Sequence, residues 1–107
     1  MRYPVIVISS MRVAGMALYP FILVNNKDAV NDATLLNHER IHLKQQREML
    51  VIFFYIAYLL NYFINLIKYC NHHKAYLNIV FEREAYKNEQ NLVYLKQRGF
   101  WWWRFYL

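Results

Sequence analysis

Hydrophobic and polar positions divide this chain into segments of different period. Val5-Ile6-Val7-Ile8 is a short β-branched run, and residues 16–24 form a second, Met-Ala-Leu-Tyr-Pro-Phe-Ile-Leu-Val. Both predict strands by residue type. Pro20 lacks a ladder donor, so the second strand is expected at an edge or around a bulge. Asn25-Asn26-Lys27-Asp28 predicts a turn. From Ala33 the rhythm changes to that of a helix, capped by Asn31 or Asp32. Leu36, Leu43 and Leu50 recur every seven residues, with Leu35 and Met49 beside them, and make one apolar stripe. His38, His42 and Gln45 share a second stripe at spacings of four and three.

Residues 49–67 carry no charge and by length and composition could cross a bilayer. A polar break follows at 68–74, in which His72 and His73 read as loop residues. A last helix is expected to start between Ala75 and Val80 and run to about Arg98, with Gly99 as its left-handed cap. Together the segments predict a single, mainly α domain. It has N-terminal strands over 1–31, in a short β-hairpin or edge strand, three metal-site helices over 32–98, and an aromatic tail over 99–107.

Composition sharpens this picture. At 107 residues there is room for one domain. The chain is 58% hydrophobic and 19% aromatic with two Gly and two Pro, which favours helices. The net charge of +6 points to an anionic partner surface, and the apolar excess makes that a membrane surface rather than nucleic acid. The positive charges are spread, and no nucleic-acid-binding motif is present. Met1-Arg2 begins like a signal peptide, but Pro4 and Arg12 interrupt the apolar run. A membrane-interface or cytoplasmic location is therefore expected rather than secretion. Cys70 stands alone, so neither an intrachain disulfide nor a cysteine-based zinc ribbon can form.

The chemistry concentrates in His38-Glu39-Arg40-Ile41-His42. A spacing of four puts both imidazoles on one helix face, where each can give a nitrogen to one Zn²⁺. Glu39 flanks the metal and can act as general base toward the water that the metal activates. The alternative is two histidines and a glutamate on a solvated helix face. Two histidines do not close a site, and Leu43-Lys44-Gln45-Gln46-Arg47 excludes a metzincin-type third histidine. A carboxylate from a later helix remains, with Glu82, Glu84 and Glu89 as candidates.

Glu82-x-x-Ala85, about forty residues after His-Glu-x-x-His, resembles the Glu-x-x-Ala-Asp segment of membrane-linked gluzincins. Those include the prenyl-protein and heat-shock membrane proteases and the β-lactam sensor proteases. The segments 36–45 and 81–86 are also similar to small bacterial zincin-like proteins, over roughly residues 32–98. The resemblance implies a zinc metallopeptidase acting on a peptide or protein substrate, with His38, His42 and Glu82 as ligands. It also implies that the small Ala85 lets its helix approach the active-site helix. Tyr86 replaces the Asp that usually orients a histidine ligand, a task Glu89 or Asn78 could take over. Glu84 or His73 would supply a fourth ligand if the zinc were structural. Tyr76, Tyr86, His72 and His73 are candidate oxyanion donors.

A spanning helix at 49–67 would place His42 and Glu82 on opposite sides of a membrane. A fold-back near Glu48 avoids this, although no Gly or Pro marks it. At 1.5 Å per residue, the histidines and Glu82 then stand at similar heights, roughly 8–14 Å and 3–10 Å above one end. The second helix, marked by Asn61, Asn65, Tyr55, Tyr58 and Tyr62, is expected to be buried or to lie in a membrane interface. The Trp101-Trp102-Trp103 tail, with Lys96, Arg98 and Arg104, reads either as a membrane-surface anchor or as packing on that helix. The strand around 17–24 suits substrate binding by strand addition, or merely covers the helices. The rival to the peptidase is a non-catalytic, membrane-associated helical protein with a structural or degenerate zinc site.

Overall fold

The two N-terminal apolar runs become three strands rather than two in the computed structural model, which describes residues 3–107. Met1 and Arg2, the start of the signal-like pattern, lie outside the described residues. β1 (Val5–Val7) pairs in parallel with β3 (Phe21–Val24), and β2 (Gly15–Leu18) pairs antiparallel with the other side of β3. The second run is thus a hairpin, and Pro20 sits in its turn, where no ladder donor is required, instead of at a bulge. Ala17, Ile22 and Val24 turn inward and meet Leu36 and Leu43 from the first helix.

α1 (Ala33–Glu48) starts where the Asp32 carboxylate accepts from the Leu35 amide at 3.1 Å, so Asp32 rather than Asn31 is its cap. It ends in a reversal built from Leu50 and Val51, both at positive φ, 57° and 59°. The Val51 amide donates to the Gln46 carbonyl at 2.7 Å and closes the turn. Leu50, placed by its spacing on the apolar stripe, is instead 73% exposed in this reversal.

α2 (Ile52–Tyr69) folds back beside α1, bringing Phe54 against His42 with ring centroids 6.4 Å apart. Its polar row faces the protein. Tyr55 donates to the Ala17 carbonyl, and Asn61 accepts from the Val80 amide at 2.8 Å. Asn65 donates to the Ala75 carbonyl at 3.1 Å. The other side is bare, and just Phe54 and Asn65 are buried among the described residues of α2. Of the two alternatives for this helix, burial in the core is therefore not what the structure shows. Cys70 caps this helix in a left-handed conformation and is exposed, not packed.

The single last helix is three pieces: α3 (His72–Leu77), α4 (Val80–Asn88) and α5 (Tyr94–Gln97). His72 and His73 open α3 rather than lying in a loop. α4 is capped from a distance at both ends. Asn61 satisfies its first amide, and the Asn37 amide on α1 donates to the carbonyls of Asn88, Glu89 and Asn91. Ala85 is fully buried against Ile41 and Tyr94, which allows α1 and α4 to lie close. No described glycine has positive φ, so Gly99 is not a left-handed cap; Trp101 takes that conformation at φ 56°. The tail closes as a 3₁₀ turn at Trp102–Tyr106. Trp103 packs on Phe81 at 5.3 Å, while Trp101, Trp102 and Phe105 stay exposed. One of the three tryptophans, Trp103, thus packs against α4.

Candidate metal centre

The fold-back of α2 and the cross-capping of α4 carry Glu82 to the histidine face of α1. His38 Nε2 lies 3.2 Å and His42 Nε2 2.9 Å from Glu82 Oε1, and the two nitrogens are 3.1 Å apart. Each of these contacts is within hydrogen-bond range, and the three atoms also lie close enough together to share one ion. A tetrahedral Zn²⁺ with bonds of about 2.0 Å separates its ligands by about 3.3 Å. The observed spacings fall slightly short of those edges, and the three groups could hold a metal ion. All three side chains are buried, which removes the alternative of a solvated helix face.

Without a metal the three groups are tied together by charge. Burial opposes protonation of His42, but the Glu82 carboxylate beside it, with help from Glu39 and Gln45, raises its pKa to about 9. Burial pushes Glu82 up, yet His42, His38 and the Tyr58 hydroxyl together hold it well below the usual carboxylate range. Tyr58 donates to Glu82 Oε2 at 2.6 Å, which leaves Oε1 turned toward the histidines. Glu39, from the turn between the two histidines, faces the same cavity. Burial raises its pKa, against the lowering pull of His42 and His38.

Behind His42 stands a buried chain of polar groups. Gln45 Oε1 lies 2.8 Å from His42 Nδ1. The Gln45 amide nitrogen donates to the Phe81 carbonyl at 3.1 Å and to Glu84 Oε1 at 2.8 Å, which fixes which way the amide points. His42 Nδ1 must therefore carry a proton for Gln45 to accept, and Nε2 is the nitrogen available for a metal. Glu84 is held in turn by Tyr94 and Arg98, and Arg98 makes a bidentate pair with Glu48 at 2.7 and 2.9 Å.

The other predicted residues fall in different places. Glu84 is fully buried in this network and is not part of the His38, His42 and Glu82 cluster. Asn78 accepts from Arg83 and donates to the Lys74 carbonyl, so it does not orient a histidine. Glu89 is nearer to that role, with Oε1 3.7 Å from His38 Nδ1. Tyr86, at the position of the gluzincin Asp, sets its ring edge-on to His38 at 4.5 Å. Its hydroxyl meets that of Tyr76 at 2.9 Å. His72 pairs with Tyr62, and His73 is exposed; neither joins the ligand cluster.

A cavity of about 780 Å³ opens over the cluster, lined among others by Glu39, Tyr55, Tyr58, Tyr76, Tyr86 and the whole of β2. Sequence reasoning did not single out Gly15. A Cβ there would stand 3.0 Å from Leu35 Cδ1 and 3.1 Å from Glu39 Oε2, so glycine is what admits the carboxylate beside the strand. The role of Gln45 was also missed, although its place on the histidine stripe was the available signal. Compared with protein-family models, with curated proteins and with solved structures, the chain finds no match.

Proposed function

We propose that this chain is a zinc-dependent peptide hydrolase whose α1 and α4 are arranged in a zincin-like, gluzincin-type way. The observation that carries this reading is the mutual approach of His38 Nε2, His42 Nε2 and Glu82 Oε1 at the floor of a cavity that Glu39 also faces. Among the described residues no further His, Cys, Asp or Glu joins the cluster, so one coordination position is left for substrate or water, as a catalytic site needs. Zinc held there would polarise a peptide carbonyl and lower the pKa of a water molecule to about 7.

The chain's own groups account for the rest. Glu39, made more basic by burial, takes the proton of the attacking water and delivers it to the leaving amine. Tyr76 and Tyr86 share one hydrogen bond, so one of their two hydroxyl protons remains for the oxyanion that develops on the substrate. β2 positions the peptide. The Asn25 amide donates to the Ala14 carbonyl, so by alternation Gly15 and Ala17 turn their backbone groups away from β3. Gln46 and Tyr55 already occupy the Ala17 carbonyl. The Gly15 groups and the Ala17 amide are left to pair with an extended peptide across the cavity.

Glu39→Gln separates binding from chemistry. The variant is expected to retain zinc while peptide hydrolysis drops by about 10²–10⁴-fold. Equal hydrolysis by wild type and Glu39→Gln would overturn the reading.

A further inference from the structure

α2 has two unlike sides. Tyr55, Tyr58, Asn61 and Asn65 tie one side to β2, α4 and α3 along the length of the helix. On the other side Phe53, Ile56, Leu60, Phe63, Ile64 and Ile67 are between 51 and 81% exposed. A shallow groove lined by Leu60, Ile64, Trp103 and Leu107 joins this row to the tail, where Trp101, Trp102 and Phe105 add exposed rings. Such a continuous bare surface exceeds what a soluble monomer ordinarily leaves in water.

Its borders are cationic. Lys68 lies over the Tyr69 ring at 5.3 Å, at the end of α2, and Arg104 over the Phe105 ring at 4.6 Å in the tail. Both are exposed, on a chain of net charge +6. A second copy would bring like charges together. An anionic lipid surface meets both features: headgroups pair with the lysine and arginine, and the indoles and apolar row enter the headgroup–acyl boundary.

We propose that this face seats the protein on an anionic bilayer, with α2 in the plane of the interface. At 18 residues the helix is about 27 Å long, near the thickness of a hydrocarbon core. Crossing is nevertheless excluded by its other side. Lipid around α2 would strip the hydroxyl and amide groups that now bind Glu82, Val80 and Ala75.

The test is co-sedimentation of the full chain with vesicles of pure phosphatidylcholine and of equal parts phosphatidylcholine and phosphatidylglycerol. Binding to the anionic vesicles is expected to be about tenfold or more tighter, and to weaken with salt. The paired substitution Ile56→Glu with Phe63→Glu is expected to weaken it by about a hundredfold. Because both residues are exposed, helical circular dichroism should stay unchanged, which distinguishes lost docking from lost folding. Absence of wild-type binding to either vesicle overturns the proposal. So does equal binding by wild type and variant, or a dimer that the substitution disperses while vesicle binding is absent.

Discussion

Replacing Gln45 by leucine isolates the group that holds His42 in place. The volume is nearly kept, so the cavity contribution is small. What changes is that the His42 Nδ1 proton loses its acceptor at 2.8 Å, and Glu84 loses one of its donors. Glu84 keeps Tyr94 and Arg98, so the larger loss falls on the buried imidazole. A buried donor left unsatisfied costs about 1–3 kcal/mol, which sets the expected loss of metal-free stability. Loss of a partner behind a metal-binding histidine weakens binding by about 10–100-fold, or about 1.4–2.7 kcal/mol. Zinc affinity would be measured by competition with a chromophoric chelator, and stability by denaturant unfolding of the metal-free protein. Gln45→Glu provides the contrast. Its carboxylate can still accept from His42, so zinc affinity should stay closer to wild type. It would also face Glu84, where the amide now donates, so the metal-free fold should weaken. An affinity for Gln45→Leu within twofold of wild type, or equal weakening in the two variants, would refute the assignment.

Four further outcomes follow from the same geometry. His42 in the metal-free protein holds its proton up to a pKa of about 9, so zinc must displace it. Zinc affinity should rise by about tenfold per pH unit between roughly 7 and 9 and then flatten, with a proton released in calorimetry run in two buffers. The sign is opposite for stability without metal: the contribution of His42 is complete below its ordinary value of 6.5 and lost as pH rises through about 9, so the metal-free melting temperature should fall across that window. Gly15→Ala should retain one zinc yet lose hydrolysis, because the new methyl displaces Glu39 or Leu35; zinc content and turnover measured together check this. Ala85→Leu should cost about 1–3 kcal/mol in unfolding and lower zinc affinity as well, since it forces α4 away from Ile41.

The site was more legible than the path that builds it. The spacing of His38 and His42 is a property of one helix, and the place of Gln45 on their stripe follows from the same period. The reversal after Glu48 gave no such signal, because Leu50 and Val51 are held at positive φ by context despite their side chains. The breaks around α4 were hidden for another reason. The groups that cap it, Asn61 and Asn37, lie nineteen and more than fifty residues from the backbone they satisfy, so no local pattern announces them. Glu84 could be read only as a candidate ligand because its partners, Arg98 and Gln45, are also distant in sequence. The hydrophobic period of α1 likewise understated burial: Asn37, His38, Glu39, Gln45, Gln46 and Glu48 are all buried, and all of them but Glu39 bond to groups on other elements.

The central claim is that His38, His42 and Glu82 hold a single zinc ion. Elemental mass spectrometry of the wild type and Glu82→Ala, purified side by side and loaded with zinc, tests it most directly. The account predicts one zinc per wild-type chain and a clear loss in the variant. A wild-type chain that takes up no zinc, or a variant that holds as much as the wild type, would contradict it.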